Sequence, residues 1–278
     1  MILLFPFFVM CQNSNKKEET VSVFPADTIP MQFNSQRPSF YLPILDGIVN
    51  DSLRLKVFFD TGTWGSDFSI SDSLKNFFDS DSAFVQIGKF KKQMGIDYYR
   101  SNLTNFLGKN TILVGWKFFE NKIIEFDFQN QRILVFDKLP DITEYSKTKI
   151  MLHRNSVGNS ALLISAQVIL QGKIQDTFNI DTGCNGYMVL SAKHIKEQRI
   201  DTTNVNYFKS WVSGGLRPGV SIPADTIKIG GLYIANQNMR ITFGDFNGCG
   251  LLGTKTLENF SVILDLINFD LYLKKIEN

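Results

Sequence analysis

Two aspartates, Asp60 and Asp181, each open an Asp-Thr-Gly tripeptide at the end of an apolar run, VFFDTG in one case and FNIDTG in the other. Such residues suit chemistry in which a carboxylate pair activates water. An apolar strand delivers the Asp to a tight turn, and Gly permits a close approach that a side chain would block. Where two such turns face each other, the like charges cannot both ionise easily and the pair shares one proton. The ionised member can then take a proton from water while the protonated member polarises a carbonyl. No cofactor, metal or covalent nucleophile enters that scheme. Other chemistries have little material: the chain has two histidines, His153 and His194, no HExxH, and three cysteines (Cys11, Cys184 and Cys249) with no CxxC. That composition offers neither a structural zinc set nor a Ser-His-Asp triad.

The segments that must position the two aspartates occur twice. SLRLKVFFDTGTWGSDFSIS, from Ser52 to Ser71, matches KIQDTFNIDTGCNGYMVLS, from Lys173 to Ser191, so that the aspartates lie 121 positions apart. Upstream, YLPILDGIVNDSLRLKV and LLISAQVILQGKIQDTF both look like hairpins, with turns expected near Gly47 and Gly172. Downstream, ILVGWKFFENKIIEFDFQNQRILVF matches LLGTKTLENFSVILDLINFDLYL at an offset of 138, which aligns Gly115 with Gly253 and Asp127 with Asp265. Asp127 and Asp265 fall in strand-turn-strand segments and are expected to serve the turns. The duplication divides the chain into a first unit at 28–137, a connector at 138–148 and a second unit at 149–278. Apolar alternation, as at Ile133 and Val135 or Leu271 and Leu273, predicts strands. Ser71 and Ser191 each precede a stretch that reads as a capped helix, so the expectation is a mainly β chain with one short helix per unit.

These motifs resemble the pepsin and retropepsin superfamily of aspartic proteases, in its bacterial, lipoprotein-like branch, over nearly all of the chain after residue 28. The resemblance rests on the paired DTG turns and on ILVG and GLLG, the apolar-apolar-Gly strands that brace such turns. It implies a bilobal acid-protease-like fold made of two related retropepsin-like β lobes. Asp60 and Asp181 would be catalytic. Thr61 and Thr182 would hydrogen-bond across to the opposite turn, Gly62 and Gly183 would complete the turns, and Gly115 and Gly253 would sit in the bracing strands. Thr63 fits the position after DTG; Cys184 is a poor donor there, so the two carboxyls should be unequally supported. Substrate-closing flaps are sought in GKFKKQMGIDYY of the first unit and in FKSWVSGGLRPGVSIPADTIKIGG of the second.

The function implied is hydrolysis of peptide or protein substrates; a non-catalytic envelope protein that grips extended peptides on the same scaffold is the second reading. A net charge of +2, with no basic stripe, argues against a nucleic-acid partner, and no obligate protein partner is evident. The opening MILLFPFFVM is apolar but too short to span a membrane, and it fits the core of an export signal. Cys11, after it, resembles the lipidated Cys of a bacterial lipobox, which implies a lipid anchor facing the periplasm or cell exterior; a plain cleaved signal is the alternative. The polar segment 12–27 would then be a tether. Cys184 and Cys249 stand either as free thiols or as a disulfide.

Overall fold

The computed structural model describes residues 23–33, 42–69, 82–95, 97–98, 110–154, 162–172, 174–191, 193–197, 199, 205–212, 215–223, 226–235, 240–244 and 249–276. The export segment, Cys11, the start of the tether and the helix expected after Ser71 lie outside these residues.

The chain is mainly β, and its described strands are arranged in three sheets. Period-two patterning explains why the strands take the faces they do. In Leu53–Asp60, Leu55, Val57 and Phe59 are buried while Arg54 and Lys56 point to solvent. This strand lies antiparallel to Ile44–Val49 and parallel to Thr111–Gly115, with Asp60 opposite Gly115. Ser66–Ser69 then runs antiparallel on the far side of Thr111–Gly115. The second half repeats this pattern strand for strand. Ile174–Asp181 lies between Leu162–Leu170, antiparallel, and Gly250–Gly253, parallel, with Asp181 opposite Gly253; Met188–Ser191 runs antiparallel on the far side.

A six-stranded antiparallel sheet draws on both halves. Its two central strands are Ile123–Asp127 and Phe260–Asp265, where Glu125 stands opposite Ile263, its own counterpart at the 138 offset. Ile124, Phe126, Val262 and Leu264 are fully buried at this junction. Phe59, next to Asp60, stacks on Phe126 (5.8 Å) and meets Phe119 edge-on (5.3 Å), so aromatic packing ties the first DTG strand to the shared sheet.

Several details differ from the sequence reading. Gly47 lies inside its strand, where a Cβ would come within 2.4 Å of Val57 Cγ2; the turn is made instead by Asn50 and Asp51, both at positive φ (47° and 61°). That is the geometry of a two-residue hairpin turn, which Asn and Asp tolerate. In the second half Gln171 and Gly172 do occupy the turn (φ 51° and 64°). The connector ends in a strand, Ser146–Lys149, paired with Asp270–Lys275, and its Leu139, Ile142 and Tyr145 pack on Ile123, Phe136, Ile263 and Tyr272. The supposed tether ends in structure as well, since Val23 joins that cluster and Asp27–Pro30 forms an edge strand. Beside the helix Lys193–Glu197 there is a helical turn after each bracing strand, Trp116–Phe119 and Thr254–Leu257, so the described residues of the second half include two short helices. Asp127 accepts from Asn130 and Arg132, and Asp265 from Ile267 and Asn268, which are turn-closing roles.

Candidate active site

The two DTG turns meet. Thr61 N–H donates to Thr182 Oγ1 and Thr182 N–H donates to Thr61 Oγ1, each at 3.0 Å. The hydroxyls donate onward, Thr61 to the Ile180 carbonyl (2.6 Å) and Thr182 to the Phe59 carbonyl (2.8 Å). Both threonines are completely buried, so this cage of four reciprocal bonds works without competition from water. Thr→Val at either position keeps the shape but strips two bonds and leaves an N–H and a carbonyl unpaired, a cost of about 1–3 kcal/mol per buried group. Thr61→Val and Thr182→Val are therefore expected to lower the thermal midpoint clearly while Thr→Ser stays close to the parent. Equal melting of the Val and Ser versions would mean that the cage does not hold the turns together.

The glycines explain how the carboxyls approach. A Cβ on Gly62 would lie 2.5 Å from Asp181 Cγ, and one on Gly183 would lie 2.4 Å from Asp60 Cγ. Each turn thus leaves room for the other half's carboxyl, and the two carboxyls come within hydrogen-bonding reach of each other. Gly62 N–H donates to Asp60 Oδ1 at 2.8 Å, and the Gly183 N–H also supports Asp60; Asp181 receives the N–H groups of Gly183 and Cys184. As residues both aspartates keep partial exposure, yet protein atoms surround their carboxyls.

Burial raises the pKa of both. For Asp181 the negative charge of Asp60 and the hydrogen bond to it add to the effect, which pushes Asp181 well above the ordinary aspartate range. For Asp60 the hydrogen bonds from Asp181, Gly62 and Gly183 work against burial and leave a smaller rise. The pair therefore shares one proton, with Asp181 the more strongly raised of the two.

The bracing strands hold the turns from behind. Trp116 N–H donates to the Thr63 carbonyl and Thr254 N–H to the Cys184 carbonyl, at equivalent places in the two copies. Gly115 and Gly253 are required by close approach: a Cβ would fall 2.3 Å from the Thr63 carbonyl oxygen or from that of Gly186. Thr63 and Cys184 thus enter through their backbones. The Cys184 thiol is pushed up to about 12 by burial and by Asp181, so it stays neutral; Cys184 and Cys249 are both free.

Two supporting residues escaped the sequence reading. Thr254 donates its hydroxyl to the Thr182 carbonyl (2.9 Å), and Trp116 donates its indole N–H to the Leu162 carbonyl (3.0 Å), which ties the first half to the second. Both directly follow a bracing Gly, the signal that could have found them. The first flap candidate begins at the Gly88–Lys89 turn, which is held by Asp27, whose Oδ2 accepts from Lys89 N–H at 2.6 Å, so that end is tied to the shared sheet; Ile96 and Tyr99 of the candidate lie outside the described residues. In the second half Asn206–Val212 and Gly215–Pro223 do form a hairpin at the edge of the larger sheet. Among the described residues no group of three or more His, Cys, Asp or Glu is arranged to hold a metal ion.

No protein-family model matches this chain, and no curated protein matches it.

Proposed function

We propose that the chain is an exported aspartic-type endopeptidase with two related retropepsin-like β lobes, in which Asp60 and Asp181 activate water for hydrolysis of peptide bonds in peptide or protein substrates. The observation that carries this reading is the reciprocal fit of the turns, in which each DTG glycine makes room for the opposite carboxyl. A binding scaffold has no need of two buried carboxyls that share a proton.

The chemistry follows from the unequal pair. Asp60, ionised, takes a proton from a water as its oxygen attacks the peptide carbonyl carbon, and Asp181 gives its proton to the carbonyl oxygen. Collapse of the resulting diol returns a proton to Asp181, while Asp60 passes the one it gained to the leaving nitrogen. Turnover should be bell-shaped in pH: it falls in acid as Asp60 is protonated and falls at higher pH as Asp181 loses its proton. Because burial raises both groups, both limbs should lie above the ordinary aspartate range.

Digestion of a peptide library by the purified chain, from acid to neutral pH, tests the proposal. Cleavage with that profile is expected. A homogeneous, folded preparation that cleaves nothing at any pH would leave the binding-protein reading in its place. Anchoring by a lipid on Cys11 belongs to the same proposal, and membrane release on Cys11→Ser is its check; a wild-type chain recovered with an unmodified Cys11 rejects it.

A further inference from the structure

Two residues before each catalytic-strand aspartate, the copies part company. In the first half Ile44 stands opposite Phe58; in the second, at the same offset of 121, Ser165 stands opposite Asn179. Phe58 makes an ordinary apolar contact there, whereas Ser165 and Asn179 bring polar groups into a buried place. Buried polar groups need a complete set of partners, and the second half supplies one. Ser165 Oγ lies 2.8 Å from Asn179 Oδ1 and 2.9 Å from His153 Nδ1, and Cys249 Sγ lies 3.0 Å from both His153 Nε2 and Asn179 Oδ1. One assignment of protons runs Cys249 S–H to His153 Nε2, His153 Nδ1–H to Ser165 Oγ, and Ser165 O–H to Asn179 Oδ1; in another, the Cys249 S–H goes to Asn179 Oδ1. The first is a thiol facing a base that a third group orients. Cys249 and His153 are both half-buried.

We propose that Cys249 is a modification site for small peroxides, with His153 as the base that receives its proton and Ser165 as the group that orients His153. The sulfur attacks one peroxide oxygen, forming an S–O bond as the O–O bond breaks. The other oxygen leaves as hydroxide and takes the proton from His153, so that thiol and hydrogen peroxide give sulfenic acid and water. Burial keeps the resting thiol protonated, pushed up to about 11, and lowers the pKa of His153. Both shifts disfavour the thiolate, which is the nucleophile, so the reaction rests on the imidazole 3.0 Å away taking the proton as the S–O bond forms. The site has a route to the carboxyls. Asn179 shares a strand with Asp181, and Cys249 directly precedes the strand whose Gly253 pairs with Asp181. An oxygen added to Cys249 crowds Asn179 and displaces that strand, which, on the peptidase reading, lowers turnover.

The test treats the full chain with hydrogen peroxide, traps sulfenic acid with dimedone, and reads Cys249 and Cys184 separately by peptide mass spectrometry. Cys249 is expected to label about a hundredfold faster than Cys184, and His153→Gln to remove most of that difference, the range for loss of a positioned base. Ser165→Ala, which leaves the imidazole in place but unoriented, should give an intermediate rate; thermal midpoints establish that each variant is folded. Peroxide should depress turnover of the parent chain and spare Cys249→Ser. Equal labelling of Cys249 and Cys184, or a rate indifferent to His153→Gln in a folded variant, overturns the site. Labelling and turnover are separate readouts. Strong Cys249 labelling in a chain that cleaves no peptide rejects the peptidase and keeps the site, whereas normal cleavage with an inert Cys249 does the reverse.

Discussion

Asp60→Asn and Asp181→Asn are each expected to reduce peptide turnover by about 10²–10⁴-fold, the range associated with loss of a positioned acid or base. The same substitutions should leave a folded chain, and Asp181→Asn should be more heat-resistant than the parent at neutral pH. The sign follows from linkage. The folded state binds the Asp181 proton more tightly than the unfolded chain does, because burial and the Asp60 charge disfavour its ionised form. Its favourable contribution is complete below the ordinary aspartate pKa and is lost as pH rises through the raised folded value. At neutral pH the parent must either keep that proton or hold two charges together, and Asn is relieved of both. Each tenfold difference in proton affinity between folded and unfolded chain is worth about 1.4 kcal/mol, or about 2–4 °C in the thermal midpoint of a protein near this size. Melting curves of parent and variant in acid and at neutral pH provide the check. A gap between them that does not widen toward neutral pH would rule out the raised Asp181 pKa, and turnover unaffected by either Asn would rule out the carboxyl pair as the catalyst.

Gly62→Ala and Gly183→Ala should be nearly as damaging, for a steric reason. The added methyl would stand 2.5 Å from Asp181 Cγ in the first case and 2.4 Å from Asp60 Cγ in the second, well inside contact distance. The opposite carboxyl has to move, and a displacement of about 1 Å in a catalytic group can cost about a hundredfold in rate. Overpacking of this kind costs about 1–3 kcal/mol in stability, so turnover should fall much further than the thermal midpoint. Gly95→Ala, with nothing within 4 Å of its Cβ, is the matched control and should resemble the parent. If Gly62→Ala and Gly183→Ala turn over peptide as the control does, the close reciprocal fit is not needed for activity.

Much of the local structure was legible in the residues. The strands that approach Asp60 and Asp181 and the Gln171–Gly172 turn follow from period-two alternation and turn chemistry, which act over a few residues, whereas the repeat shows in the alignment of the two halves and the bracing place of Gly115 and Gly253 is what the family resemblance implies. Even at that range the first hairpin was misread. Gly47 with an Asn nearby looked like the turn, but Asn50 and Asp51 take the positive φ angles, while Gly47 is there to let Val57 pack against it.

What the tertiary structure alone decided concerns residues far apart in the chain. The family resemblance implied that Thr61 and Thr182 bond across to the opposite turn, but their reciprocal pairing across 121 positions, N–H to hydroxyl in both directions, depends on how two sheets dock, which no local pattern encodes. Strands from both halves join in one six-stranded sheet, where Phe126, Val262 and Leu264 are buried at the junction, and that sheet also captures Asp27 and the turn at Gly88. The unequal carboxyls are a property of place. Asp60 and Asp181 stand in identical tripeptides, but each pKa depends on which N–H groups, which neighbouring charge and how much protein surround the carboxyl. His153, Ser165, Asn179 and Cys249 carry no shared motif, and only the pairing of their strands brings a thiol to an imidazole.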